Sequence, residues 1–209
     1  YQFRGKSLIL ALTSVSFVLP TLVVAAAFNA LLGPRGWVNL LLMDLFDLAR
    51  PPVQFVNTFW AILVAHVFYN TTIVLRIVGD FWSHLDPRLA QAAQMLGASR
   101  RRVLWEVTLP LLGPAIAAAA LLIFIFDFTS FGVVLVLGGP RFATLEVEIY
   151  NQTISLFNLP LAAALAALQL ACTLGLTVAY TALSARLARP LSLRPRQYTQ
   201  RRLLTWQNR

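Results

Sequence analysis

The chain has 209 residues, 58% of them hydrophobic and 12% charged, with a mean hydropathy of +0.71. That charge fraction is roughly half that of an ordinary soluble domain, which argues against a soluble enzyme and for a polytopic membrane protein. The net charge of +9 (17 Lys+Arg against 8 Asp+Glu) raises nucleic-acid binding only until the positions of the charges are considered.

The chain begins at Tyr1 with neither an initiator Met nor a signal-peptide pattern, so it is expected to be a piece of a longer polypeptide. Arg4 and Lys6 precede an apolar run, 7–32, that holds no charged residue. At 1.5 Å per residue such a run extends roughly 39 Å as a helix, enough to span a bilayer with tilt. Pro20 is expected to kink it, with a gate hinge as the sharper alternative. Gly33-Pro34-Arg35-Gly36-Trp37 reads as a turn. Leu40, Leu41, Met43, Leu45 and Leu48 then recur at helical spacing around Asp44 and Asp47, which predicts a helix lying on the membrane surface, ended by Arg50-Pro51-Pro52.

The second predicted span is 58–79. His66 and Asn70 are four apart and share one face, either for interhelical hydrogen bonding or for lining a solute path. Arg76 is close enough to the end to snorkel.

A polar interruption follows over 80–109. Asp86-Pro87 is a helix start, with Asp as N-cap and Pro at the first helical position. Leu85, Leu89, Ala92, Ala93 and Leu96 form one apolar stripe, and Gly97 ends the helix. Ser99 caps a second short helix that carries Arg100, Arg101 and Arg102 and runs to Val107, and Pro110 and Pro114 reset the chain. The helix-turn-helix look of this stretch is discounted, because an apolar span lies on each side.

The third span is predicted over 111–136, with 126–132 as a place where the helix could break. Asp127 lies inside it, and an ionisable residue at membrane depth is a functional candidate by default. It either faces a translocation path or closes a local polar network. Gly138 to Arg141 is a turn, and Thr144 caps a short amphipathic helix to about Ile154. The fourth span is 161–187, rich in alanine for close packing. Residues 189–209 are basic and free of acids, which reads as a cytoplasmic linker or tail.

Cytoplasmic loops collect Lys and Arg. With the 80–109 loop inside, Arg4, Lys6, the arginines from 76 to 102 and the basic tail are all inside, and only Arg35, Arg50 and Arg141 are outside. Both ends of the chain are then cytoplasmic. The positive charge is topology, not a nucleic-acid footprint. The lone Cys172 argues against disulfides and zinc. Neither His66 nor His84 stands in a cluster of acids or cysteines at ligand spacing, so no catalytic or metal residue is assigned. The reading is an all-α membrane protein with about four spans.

Gln91-Ala92-Ala93, Gly97 and Val107-Thr108-Leu109-Pro110 resemble the cytoplasmic EAA loop of binding-protein-dependent ABC importer permeases. The family usually has Glu where Gln91 stands, so a charge-assisted contact is lost there. Phe17-Val18-Leu19-Pro20-Thr21, Gly33 to Trp37, Ala65 to Asn70, Ser130 to Gly139 and Thr144 to Tyr150 are similar to the iron(III) or thiamine importing subgroup. The resemblance implies the first half of a fused two-repeat permease in the bacterial inner membrane, with the basic tail as the inter-half linker. It implies three protein partners: an ABC ATPase subunit, a periplasmic solute-binding protein and a second permease half or homologous subunit. It implies no cofactor on this chain, ATP being bound by the ATPase; no Gly-rich GxxxxGK[ST] loop occurs here. The ATPase-coupling residues it implies are Leu89, Gln91, Ala92, Ala93, Leu96, Gly97, Arg100, Arg101, Leu109 and Pro110. Asp127, His66 and Asn70 are the candidates for the translocation path. The rivals are a membrane scaffold that does not transport, and a secondary transporter driven through Asp127.

Overall fold

The computed structural model describes residues 5–187. The expected tail at 189–209 and the expected inside charge at Arg4 lie outside the described residues. Every regular element among the described residues is helical. In chain order these are α1 (Lys6–Val18), α2 (Thr21–Leu32), α3 (Trp37–Phe46), α4 (Phe59–His84), α5 (Pro87–Met95), α6 (Arg100–Val103), α7 (Leu109–Phe128), α8 (Gly132–Leu137), α9 (Leu145–Tyr150) and α10 (Leu159–Leu187). Wide π turns occupy Leu104–Thr108 and Asn151–Ser155.

Among the described residues, four stretches are long and apolar enough to cross a membrane: Thr21–Phe46, Phe59–His84, Arg100–Phe128 and Leu159–Ala185. They differ from the expected spans in three places. The run at 7–32 is broken, not kinked: α1 stops at Val18, and Pro20 serves as the N-cap of α2. A residue before proline is pushed out of the helical region, and Leu19 takes that position. The apolar stretch that begins with α2 continues through the Gly33–Gly36 turn into α3. The second helix runs past Gly79 to His84, where the His84 Nδ1–H donates to the Asp80 carbonyl at 2.8 Å. The third span starts earlier than 111 and stops at Phe128 instead of 136. At its end Thr129 Oγ1 bonds back to the Ile125 carbonyl at 3.1 Å, and Ser130 N–H turns onto the Asp127 carbonyl at 3.1 Å. Such local side-chain bonds compete with helix continuation.

The described chain forms two compact units. One comprises 16–70 and 124–177. Its core is Ala25, Ala61, Ile62, Ala65, Val133, Val134, Leu137 and Val147. Alanines on α2 and α4 let α8 approach closely. A Cβ added at Gly132 would lie 2.6 Å from Thr21 Oγ1 and 3.0 Å from the Leu22 backbone nitrogen, so the start of α8 tolerates no side chain there. Asn39 is fully buried in the same unit. Its Nδ2 donates to the carbonyls of Gly33 (2.8 Å) and Val53 (2.9 Å), and its Oδ1 accepts from Val53 N–H (2.8 Å). Thus α3 is held by a polar clamp and leaves Trp37, Leu40, Leu41 and Leu45 exposed. Thr144 Oγ accepts from Val147 N–H as the cap of α9. Burial pushes the carboxyl of Glu146, in that first turn, above its ordinary value.

The other unit has described residues 5–15, 71–123 and 178–187. Thr72 Oγ1 donates to the Thr13 carbonyl, and Arg76 Nη2 donates to Ser14 Oγ at 3.3 Å. Arg76 is therefore tied to α1, where snorkelling alone was expected. Leu112, Ala115 and Ala119 are the buried face of α7 in this unit.

Candidate coupling surface and membrane polar cluster

The interruption between α4 and α7 folds as its capping residues dictate. Asp86 takes the N-cap position, and its carboxylate accepts from Arg88 N–H at 3.0 Å. Pro87 occupies N1, where no donor is needed. At the other end Gly97 adopts φ +88°. Its N–H bonds the Gln94 carbonyl at 3.0 Å, and Ala98 N–H bonds the Ala93 carbonyl at 3.1 Å. This paired return is a Schellman motif, and it closes the last turn of α5. A Cβ at Gly97 would meet nothing within 4 Å, so the requirement for glycine here is conformational and not steric. Ser99 then caps α6, its Oγ accepting from Arg102 N–H at 3.3 Å.

The stretch from Arg100 to Phe128 is continuous, where a reset at Pro110 was expected. Pro110 has no N–H and its ring crowds the carbonyl four residues back. The backbone opens into the π turn Leu104–Thr108, with Leu109 N–H returning to the Leu104 carbonyl. A π turn inserts an extra residue without ending the helix.

No residue of α5 is buried. Gln91 and Ala92 are exposed and Ala93 is half-buried. Leu89 is 47% exposed, Met95 89% and Leu96 90%. These apolar side chains make an uncovered edge at the end of a well-capped helix. Trp105, on the π turn, is 68% exposed. Arg100 and Arg101 are exposed beside them, while Arg102 is held by Glu106 (Nε to Oε2, 2.8 Å). Leu109 is half-buried and Pro110 exposed.

The second constellation lies inside the unit of residues 16–70 and 124–177. Asn70 Nδ2 donates to both carboxylate oxygens of Asp127, at 2.9 and 3.1 Å. His66 Nε2 shares a 2.8 Å hydrogen bond with Ser130 Oγ and stands 3.9 Å from Asp127 Oδ1. Thr144 Oγ1 donates to the Ser130 carbonyl at 2.8 Å, which fixes the chain where α7 gives way to α8. The helical spacing of 66 and 70 on α4 points both side chains at this break.

The family described as the binding-protein-dependent transport system inner membrane component matches residues 1–189. The chain belongs to that family. The chain is 29% identical over 184 residues to the putative 2-aminoethylphosphonate transport system permease protein PhnU of Salmonella typhi, covering 88% of this chain and 64% of that one. It is 34% identical over 168 residues to the thiamine transport system permease protein ThiP of Haemophilus influenzae (80% and 31% covered). It is 32% identical over 191 residues to the sulfate transport system permease protein CysT of Salmonella typhimurium (90% and 67% covered). The chain thus spans less than two thirds of PhnU and about a third of ThiP. Its fold is like that of a bacterial ABC transporter involved in the import of the acidic polysaccharide alginate, with a TM-score of 0.66 at 18% identity, covering 90% of this chain and 68% of that one.

For a multi-pass membrane protein of this family, the structure keeps the two groups of site residues in separate constellations. The loop candidates Leu89 to Pro110 lie on α5, α6 and the start of α7, and His66, Asn70 and Asp127 meet in the polar cluster. Reasoning from sequence missed Met95 and Trp105 on the exposed edge, and Ser130 and Thr144 in the cluster. Met95 was legible, being apolar and three residues from Ala92 on the same helix. Ser130 was not, because its partner His66 is 64 residues away.

Proposed function

We propose that this chain is the permease of an ATP-driven importer, forming the path for a solute delivered by a periplasmic binding protein. ATP is bound and hydrolysed by a separate ABC ATPase, and the 87–109 segment is where that ATPase docks. The chain itself supplies no catalytic residue and no cofactor. A second permease half or a homologous subunit completes the path, and both ends of this chain face the cytoplasm.

The observation that carries the reading is the uncovered apolar edge of α5. Leu89, Ala92, Met95 and Leu96 are exposed on a helix held rigid by an N-cap and a Schellman turn, with Arg100 and Arg101 beside it. Such an edge fits a groove on a partner, with the apolar side chains in the groove and the arginines at its rim. Small Ala92 and Ala93 allow close approach, and Gln91 contributes a neutral hydrogen bond. For the solute, thiamine is named for one group of relatives, and iron(III) rests on the sequence resemblance.

The test is co-purification. A tagged permease should retain its ATPase in stoichiometric amount. The double substitution Met95→Glu, Leu96→Glu should weaken that association at least about tenfold, because two anchor residues become charged. Undiminished retention of the ATPase by the double variant would overturn the docking assignment.

A further inference from the structure

The polar cluster leaves one charge unbalanced. Asp127 is the only acid on α4 or α7 within its compact unit. An ionised carboxylate accepts about four hydrogen bonds. Asn70 supplies one amide group, shared between both oxygens. His66 is 3.9 Å away and already bonded to Ser130, and among the described residues no Lys or Arg pairs with Asp127. Its side chain remains 34% exposed, against 14% for His66.

A carboxylate at membrane depth without a cation is costly, and the cost is relieved by a proton or by a counter-cation. The Asn70 amide donates to both oxygens and so fixes the plane of the carboxylate. Asn70 is buried, and Ser130 and Thr144 hold the chain break, so the carboxylate is fixed before any ligand arrives. Its open side is a ready acceptor for a positive group.

We infer that Asp127, oriented by Asn70, selects for solutes that carry a positively charged nitrogen as they pass through this permease. The inference rests on the permease reading above. Thiamine and 2-aminoethylphosphonate each carry a positive nitrogen, and sulfate does not.

The experiment uses the full permease reconstituted with its ATPase and binding protein in proteoliposomes. Uptake of radiolabelled thiamine, 2-aminoethylphosphonate and sulfate is measured at saturating binding protein. The expected result is ATP-driven uptake of thiamine or 2-aminoethylphosphonate and not of sulfate. Asp127→Asn should lower that uptake rate about tenfold or more, the loss of one charge-assisted contact. Asp127→Glu should restore most of it, which a purely structural role for the Asn70 contact would not produce. Co-purification of the ATPase with Asp127→Asn shows that the variant is folded. Sulfate as the imported solute, uptake of neither nitrogen-bearing probe by a complex that retains its ATPase, or wild-type uptake by Asp127→Asn would overturn the inference alone. Failure of the wild-type permease to hold any ATPase would overturn the permease reading and this inference with it.

Discussion

Asn39 binds three backbone groups of its unit with one side chain: the carbonyls of Gly33 and Val53 and the N–H of Val53. The Gly33 carbonyl also accepts from Gly36 N–H at 2.8 Å, whereas Val53 depends on Asn39, which is itself fully buried. Asn39→Ala would leave the Val53 N–H and carbonyl without these partners. The expected cost is about 2–4 kcal/mol, one unmet buried group costing about 1–3. It should appear as a lower melting temperature of the purified permease in detergent, and an unchanged melting temperature would refute the clamp. The same logic separates Asn70 from Asn39. Asn39 meets only backbone, while Asn70 meets an acid that still has acceptor capacity to spare.

The α5 element owes its shape to its two ends. Its first turn is settled by Asp86 and Pro87 and its last by Gly97. Gly97→Val would force a β-branched residue to φ +88°, which costs at least about 1–2 kcal/mol and favours a different exit from the helix. ATP-driven uptake should then fall at least about tenfold. Solute binding by the periplasmic protein should be untouched. Gly97→Asn should retain most of the uptake, since Asn tolerates the left-handed region. Equal uptake by Gly97→Val and wild type would show that the Schellman exit is dispensable. Both ends of α5 were legible in the sequence because capping acts over three or four residues. The π turn at Leu104–Thr108 was not. Pro110 signals a lost donor, but whether the helix stops or widens depends on what the next turn packs against. Val103 and Leu112, buried on either side, keep the helix going.

At the scale of the whole molecule, the distribution of arginines sets an expected orientation. Replacing Cys172 by Ser and placing a single cysteine at Arg50 or Gln94 tests it. A membrane-impermeant maleimide added to right-side-out vesicles should label Arg50→Cys directly, and Gln94→Cys only after permeabilisation. The reverse pattern would place α5 outside and refute ATPase docking there. Hydropathy gives four apolar segments in the sequence and in the described structure, since it sums over about 20 residues and needs no knowledge of contacts, but the first lies at Thr21–Phe46 and not at 7–32. The breaks at Pro20 and Thr129 come from local backbone chemistry, which the proline and the 126–132 stretch signal in the sequence and a hydropathy average does not.

The sequence by itself determined the membrane class, the all-helical architecture, the capped loop helix and its apolar stripe. These depend on composition, on the 3.6-residue period and on caps, all of which act within one helix. Only the tertiary structure decided which polar residues meet. Asn70 and Asp127 are 57 residues apart, and their contact exists because α4 packs beside the end of α7. The tertiary structure also decided what stays uncovered. An apolar stripe reads the same in sequence whether it is packed or bare, and packing within the chain leaves Met95 and Leu96 exposed.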